Sequence, residues 1–184
     1  MARLRDMYLN EIRPRLKDEL ETGNIMAVPR LQKITISCGV GKAKDNKKLL
    51  EEAVKILETI SGQKSVTTLA RRSVAQFRLR QGMPVGCRVT LRGERMYEFL
   101  DRFINVVIPR IRDFRGMKPS FDGRGNYSVG LNEQSVFPEI GTSLLENPQG
   151  MNITMTIRGG KDEWSRALLE AFGYPFKREE AAVA

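Results

Sequence analysis

The chain has 184 residues, of which 41% are hydrophobic and 29% charged, and this composition is typical of a folded protein. It has no histidine and two cysteines, Cys38 and Cys87, which excludes histidine-dependent nucleophiles and a closed structural zinc site within one chain. The net charge is +9, and residues 64–93 carry seven basic and no acidic side chains, so the predicted partner is a polyanion, above all nucleic acid.

The first predicted elements are a helix, a strand and a second helix. Apolar residues at every fourth position predict an N-terminal helix that Pro14 kinks or restarts: Leu4, Tyr8, Ile12, Leu16 and Leu20. Strict alternation then predicts a strand over residues 31–38, with Lys33, Thr35 and Ser37 on its solvent face. The second helix is expected to begin at an Asp45 cap and to end at Gly62.

The acid-free segment is expected to hold a basic arm and another strand. Residues 73–80 alternate between apolar and polar side chains, and residues 71–84 predict a hairpin-like arm that meets phosphate. Phe77 could stack on a base, but burial as an anchor is favoured. Residues 85–92 alternate again, so that Arg88, Thr90 and Arg92 point outward together with Gly86. If both strands share an antiparallel sheet, their outer face is a cationic, hydroxyl-rich platform suited to phosphate and ribose. A merely solvated sheet face is the alternative.

The remaining elements complete an α+β pattern. A third helix follows residue 93 and ends at Pro109, and arginine-rich turns fill residues 109–127. These turns serve either RNA contact or loop architecture, and Asp113 or Asp122 could hold a nearby arginine rigid. Strands at 127–131 and 152–158 precede a last helix that opens near Asp162 and stops at Gly173, after which residues 178–184 form a loose tail. We therefore predict a single domain over residues 1–184, mainly an antiparallel sheet with helices on one face and an exposed basic RNA-binding face.

Two other function classes remain open. Asp101, Asp113 and Asp122 lie near one another in sequence and could hold magnesium for a nuclease, but their arginine-rich surroundings favour structural salt bridges. We therefore expect no enzyme, no metal and no cofactor. A protein-interaction module would instead bind independently of RNA and withstand high salt.

The expected location is the cytoplasm. Cys38 and Cys87 lie among apolar neighbours, as reduced cysteines of a cytosolic core do. The first residues lack the continuous apolar segment of a secretory signal, and no stretch approaches the roughly 20 apolar residues of a membrane span.

Seven short segments, in their order and spacing from about Tyr8 to Lys177, resemble the bacterial large-subunit ribosomal protein L5 family. They are Val28-Pro-Arg30, Lys33-Ile34-Thr35, Ile60-Ser-Gly-Gln-Lys64, Arg78-Leu-Arg-Gln-Gly82, Gly86-Cys-Arg-Val-Thr-Leu-Arg-Gly93, Pro109-Arg-Ile-Arg-Asp-Phe-Arg-Gly116 and Phe121-Asp-Gly-Arg-Gly-Asn-Tyr127. So many matches are far more specific than a single motif. The chain departs from the family at Ser37, where asparagine is common, and over residues 141–152 and 158–161.

The resemblance implies a structural constituent of the large ribosomal subunit, placed in the central protuberance and without catalysis. Its implied partners are 5S and 23S ribosomal RNA, P-site transfer RNA, other large-subunit proteins and a protein of the small-subunit head.

Three groups of contact residues follow from the resemblance. The implied 5S RNA group is Lys33, Thr35, Ser37, Gln63, Lys64, Arg88, Thr90 and Arg92. The implied transfer-RNA-facing arm contributes Arg71, Arg72, Arg78, Arg80, Gln81 and Gly82. The implied ribosomal RNA or intersubunit contacts are Arg110, Arg112, Arg115 and Arg124.

Overall fold

The computed structural model describes residues 2–44, 46–141 and 147–177, without the side chains of Lys42 and Lys44. In these residues the strands are β1 (Arg30–Gly39), β2 (Val66–Leu69), β3 (Pro84–Leu91), β4 (Tyr127–Leu131) and β5 (Met151–Arg158). The helices are α1 (Arg3–Met7), α2 (Arg13–Glu19), α3 (Lys47–Ser61), α4 (Gly93–Arg102) and α5 (Asp162–Ala171). The strands form one sheet in the hydrogen-bonded order β2-β3-β1-β5-β4.

Neighbouring strands of the sheet run antiparallel. Val66 of β2 is paired with Arg88 of β3, and Thr68 with Gly86. β4 and β5 also run in opposite directions. Ser128 of β4 contacts Thr154 of β5, and two residues further along β4, Gly130 approaches Asn152, which lies two residues earlier in β5. The predicted α+β class with a mainly antiparallel sheet is therefore confirmed.

The chain divides into two compact units, which are described separately. The first unit contains Met1–Ile34, Arg92–Val129 and Thr154–Ala184, and the second contains Thr35–Leu91 and Gly130–Ile153. The single domain expected over residues 1–184 stays a prediction, and the expected loose tail at 178–184 lies outside the described residues.

In the first unit, the N-terminal helix is held by an aromatic cluster. A π-helical turn (Tyr8–Ile12) joins α1 to α2. The second residue of α2 is Pro14, which has no amide hydrogen to continue an α-helical ladder into the preceding turn. The Tyr8 ring stacks against Tyr97 at a centroid distance of 6.3 Å and lies 6.0 Å from Phe172. The buried Tyr8 hydroxyl donates to the carbonyl oxygen of Pro29 at 3.0 Å, which fixes the start of β1.

In the second unit, α3 has the predicted end but a different start. Its N-cap is Asn46, whose side chain accepts from the amide of Lys48 at 3.0 Å; the predicted cap, Asp45, lies outside the described residues. Gly62 closes the helix at φ 61°, as expected for a left-handed C-cap. The helix buries the apolar residues Leu50, Ala53, Leu57 and Ile60.

The other two predicted helices differ in detail. α4 continues through a π-helical turn (Phe103–Val107) into a 3-10 turn (Ile108–Arg110), so Pro109 lies inside the helical stretch and does not end it. α5 buries Ser165, Leu168 and Leu169. Trp164, Ala167 and Ala171, which the apolar pattern of the sequence would place in the core, are only half-buried, because the buried stripe of the helix is rotated from the one that this pattern indicates. Across the described part of the chain, no helix is both long enough and apolar enough to span a membrane.

Candidate nucleic-acid interface

The second unit presents a polar face on two strands. In β1, Thr35 and Ser37 are half-buried while their neighbour Ile36 is fully buried. In β3, the exposed Arg88 and the half-buried Thr90 alternate with buried apolar residues. The predicted outward positions of both strands therefore reach solvent, as a period of two requires.

Gly86 is the exception on this face, because it is buried. A Cβ placed on Gly86 would lie 2.5 Å from the carbonyl oxygen of Cys38 and 3.1 Å from Oγ1 of Thr68. The backbones of β1 and β3 approach too closely here for any side chain, so the outward prediction for Gly86 is wrong.

The turn after α3 positions Gln63 and Lys64. Ser61 Oγ donates to the carbonyl oxygen of Leu57 at 2.6 Å and accepts from the amide of Gln63 at 3.3 Å. Gln63 Nε2 then donates to the carbonyl oxygen of Thr90 at 3.2 Å, which ties the turn to β3. Gln63 is half-buried in this position, and the next residue, Lys64, is exposed.

Lys33 and Arg92, the other two residues of the predicted 5S group, belong to the first unit. Lys33 is half-buried on β1 between the buried Ile34 and the exposed Gln32. Arg92 is exposed and follows the last residue of β3, so it is the N-cap position of α4 and not a strand residue. The predicted group is therefore distributed over both units.

The basic residues of the acid-free segment form no ion pair with any carboxylate that the structure describes. Within residues 2–44, 46–141 and 147–177, ion pairs involve other arginines, such as Arg3 with Asp101 at 2.6 Å and Arg5 with Glu94 at 3.0 Å. The seven basic residues between positions 64 and 93 take part in none of them: Lys64, Arg71, Arg72, Arg78, Arg80, Arg88 and Arg92. Uncompensated cations in one segment create a local positive potential that attracts phosphate.

The loop between β2 and β3 is an internally bonded hairpin extension. Ala70 and Met83 are joined by an amide-to-carbonyl bond of 2.8 Å, and Val74 and Leu79 exchange two backbone bonds of 3.0 and 3.1 Å. The amide of Gln81 donates to Ser73 Oγ at 2.9 Å. The backbone of the arm is therefore defined by its own hydrogen bonds.

The side chains of this arm differ from the sequence-based expectation. Residues 73–80 do not form a strand, because Ala75–Phe77 make a 3-10 turn that Arg78 ends at a left-handed φ of 53°. Phe77 is 60% exposed, so the predicted buried anchor is wrong. The arginines at 71, 72, 78 and 80 are all exposed, as are Gln81 and Gly82. This arm thus presents an aromatic ring among cations, a combination suited to nucleic-acid bases and phosphates.

Strand β2 was not identified from the sequence. Its residues Val66 and Leu69 are 61% and 57% exposed, so no buried face appears in the residue pattern. Pairing with β3 is what makes this segment a strand, and that information is not local.

In the first unit, the arginine-rich turns expose Arg110, Arg112, Arg115 and Arg124. The Asp122 carboxylate accepts from the amides of Arg124 and Asn126, each at 2.9 Å, and from the Asn126 side chain. These bonds, that of the Asn126 side chain first, hold the pKa of Asp122 below its ordinary value. Asp122 therefore shapes the loop, and among the described residues it forms no ion pair with an arginine, so the expectation that it holds one rigid is wrong.

A second carboxylate from α5 completes this loop. Asp162 accepts from the amide of Gly123 at 3.1 Å and from that of Gly125 at 2.7 Å. Asp162 was predicted only as a helix start, and nothing in the local sequence indicates a partner almost forty positions away.

Residues 175–177 hold the other end of the arginine-rich turns. The amide of Met117 donates to the carbonyl oxygen of Pro175 at 2.9 Å, and the amide of Lys177 donates to the carbonyl oxygen of Met117 at 2.8 Å. Gly116 has φ 95°, and a Cβ there would lie 2.7 Å from the Cα of Lys177. Only glycine fits this contact without displacing backbone.

The acidic residues considered for a nuclease are used differently. Asp101 accepts from Arg3, and Asp122 accepts from amides of its own loop. Asp113 is exposed at a left-handed φ of 50°. In the described ranges, no three Cys, Asp or Glu side chains converge as metal ligands would.

Comparison with known proteins matches nearly the whole chain. The family described as Ribosomal protein L5 matches residues 24–80, and the model for the C-terminal part of that ribosomal protein family matches residues 84–176. The chain is 56% identical over 177 residues to the large ribosomal subunit protein uL5 of Natranaerobius thermophilus, covering 96% of this chain and 99% of that protein. The protein of the same name from Psychrobacter cryohalolentis is 55% identical over 178 residues, covering 96% and 100%.

Proposed function

Because the chain belongs to the ribosomal protein L5 family, we propose that it binds 5S ribosomal RNA in the central protuberance of the large ribosomal subunit. Its role is that of a structural ribosomal protein and not of an enzyme. The proposed 5S contacts are Lys33, Thr35, Ser37, Gln63, Lys64, Arg88, Thr90 and Arg92.

The observation that carries this proposal is the unpaired, cationic face of the second unit. Arg88 is exposed on β3, two positions before the half-buried Thr90, and has no carboxylate partner among the described residues. A guanidinium fork suits phosphate, and threonine and serine hydroxyls pair with ribose 2′-hydroxyls or base edges. Such a face fits RNA better than it fits a protein partner, because charged residues are depleted in the buried core of protein interfaces.

Two further contacts are proposed for the other basic segments. The arm of residues 71–84 would approach P-site transfer RNA, with Arg71, Arg72, Arg78 and Arg80 on its phosphates. The arginines at 110, 112, 115 and 124 would contact 23S ribosomal RNA or a protein of the small-subunit head. The fixed backbone of both segments supports these proposals, because little ordering entropy is lost on binding.

A salt-varied binding titration tests the main proposal. The purified chain is titrated with 5S ribosomal RNA and with a scrambled RNA of equal length at several salt concentrations. We expect clear preference for 5S RNA at physiological salt, with affinity falling by about 0.7 log units per log unit of salt for each single-stranded phosphate neutralised. Equal affinity for both RNAs would reject selective recognition. No binding to either RNA would favour a protein-interaction module, whose binding to its own partner should survive high salt.

A further inference from the structure

We propose that Cys38 and Cys87 form an oxidisable dithiol, which closes to an intramolecular disulfide when the protein meets a small peroxide. Both cysteines are free and buried in the second unit, and they lie on adjacent strands. Neither residue takes part in the proposed RNA contacts, so this inference is independent of that proposal.

The geometry of β1 and β3 brings the two sulfurs together. The amide of Val40 donates to the carbonyl oxygen of Val85 at 2.9 Å, and the Cys38 carbonyl lies close to Gly86. Val40 directly follows β1 and is paired with Val85 of β3. In an antiparallel pair, the residue two positions before Val40 lies opposite the residue two positions after Val85, so Cys38 lies opposite Cys87. Both side chains are buried, so they lie on the same face of the sheet, close enough for each thiol to influence the ionisation of the other. A disulfide needs Cβ atoms about 3.5–4.5 Å apart, slightly less than typical cross-strand pairs, so a small adjustment of the strands closes the bond.

The surroundings give the two sulfurs different roles. Cys38 Sγ donates to the carbonyl oxygen of Gly150 at 3.2 Å and lies 3.6 Å from Oε1 of Gln149, so its position is fixed. The hydrogen bond from Cys87 lowers the pKa of Cys38, whereas the same contact and burial raise the pKa of Cys87. Cys38 is therefore the sulfur that ionises first, and Cys87 is the resolving thiol beside it.

The reaction balances with one peroxide for each disulfide. The Cys38 thiolate attacks a peroxide oxygen, the oxygen–oxygen bond breaks, and hydroxide leaves while Cys38 becomes a sulfenic acid. Cys87 then attacks the Cys38 sulfur, so that the sulfur–sulfur bond forms and the sulfur–oxygen bond breaks. The oxygen leaves as water with the Cys87 proton, and the proton first lost by Cys38 neutralises the hydroxide. The two sulfurs together lose two electrons, and hydrogen peroxide is reduced to two waters.

The burial of both sulfurs determines which oxidants can reach them. Cys38 is 5% exposed and Cys87 is 1% exposed, so a bulky disulfide such as oxidised glutathione cannot reach either sulfur without local opening. Hydrogen peroxide consists of only two bonded hydroxyl groups, so it needs a much smaller local opening of the structure than glutathione disulfide does. The expected order of reactivity in the folded chain is therefore peroxide before glutathione disulfide.

The test treats the reduced full chain with hydrogen peroxide, blocks the remaining thiols and maps the digested peptides by mass. We expect one linked peptide pair containing Cys38 and Cys87, lighter by two hydrogens, which a dithiol reductant separates. Because the bond restrains the unfolded chain, the oxidised protein should also unfold at a higher urea concentration. Chain-to-chain links, separate sulfinic acids or persistently reduced thiols would overturn the proposal.

Two controls test whether the strands, and not the reactivity of the thiols alone, account for the disulfide. In Cys87→Ser the reaction should stop at the Cys38 sulfenic acid, which dimedone traps. The wild-type chain in concentrated urea should form the bond more slowly than the folded chain does, because the strands no longer hold the sulfurs together. Equally fast closure in urea would overturn the proposed role of β1 and β3 even if Cys87→Ser does not fold.

Discussion

The side-chain amide of Gln63 donates a hydrogen bond to the carbonyl oxygen of Thr90 at 3.2 Å. A proposed RNA contact thus also fastens the turn after α3 to β3. Substitution of Gln63 would disturb the turn and the RNA contact together, so binding measured with such a variant could not separate them. Arg88 makes no ion pair within the described ranges and is the sharper probe.

Arg88→Glu is expected to lower the affinity for 5S ribosomal RNA about tenfold to a hundredfold. Hydrogen bonds to charged groups are worth about 1.5–3 kcal/mol, and the reversed charge adds repulsion from phosphate. The measurement is a titration at fixed salt, with circular dichroism to show that the fold is kept. Arg15→Glu is the matched control, because Arg15 is exposed on α2 and undergoes the same charge reversal outside the proposed site. Equal losses in both variants would assign the effect to net charge alone.

Arg80→Glu is expected to leave 5S RNA affinity within about twofold of the wild type and to weaken contact with transfer RNA. The arm containing Arg80 is fixed by its own backbone bonds and is separate along the chain from the strand positions of the 5S group. The measurement compares 5S RNA titrations with P-site transfer RNA occupancy in ribosomes assembled with the variant. Arg88→Glu should give the reverse pattern, and parallel losses in both assays would contradict separate surfaces.

Gly116→Ala is expected to destabilise the chain by more than about 1 kcal/mol, since the backbone has φ 95° and the added Cβ would meet the Lys177 backbone at 2.7 Å. Urea unfolding measures the loss. Gly160→Ala is the matched control, because Gly160 also has a left-handed φ, 72°, but has no atom within 4 Å of its Cβ position. The difference between the two variants isolates the contact with Lys177, and equal losses would mean that only backbone strain matters.

The folded chain is expected to lose stability in alkali between pH 10 and about pH 12. Burial raises the pKa of Tyr97 to about 12 from its ordinary 10.0, and burial likewise raises the pKa of Tyr8, Tyr127 and Tyr174. A folded-state pKa above the unfolded value stabilises the fold fully below pH 10, and this contribution disappears as the pH rises through the folded pKa. Urea unfolding across this range, followed with tyrosinate absorbance, checks the result. Tyr97→Phe should flatten the slope, and an unchanged slope would remove Tyr97 from the explanation.

The sequence predicts exposure best in segments where apolar and polar residues alternate regularly along a strand. The alternation of β1 and β3 correctly placed Thr35, Ser37, Arg88 and Thr90 toward solvent, because one face of each strand must be apolar. It failed for Gly86, where a close approach between two strands replaces the expected exposure. It also failed for Phe77, because alternation in a turn carries no information about burial.

Contacts between distant positions were not predictable from local patterns. Asp162 holds the loop at Gly123 and Gly125, and Met117 is bonded to Pro175 and Lys177, yet none of these pairs leaves a periodic signal. β2 is likewise defined by its partner strand and not by its own exposed residues. The uncompensated charge of the acid-free segment, in contrast, was evident from composition alone.

The bond between Met117 and residues 175–177 also sets an order of events during synthesis. The arginine-rich turns reach their final shape only when Pro175 and Lys177 are present, since these residues supply both backbone bonds to Met117. A ribosome adds roughly 5–20 residues per second, so for several seconds after Met117 is made this segment has no partner. The arm and its neighbouring strands are completed earlier, by residue 91. Compared with the arm, the arginine-rich turns therefore mature later on a newly made chain.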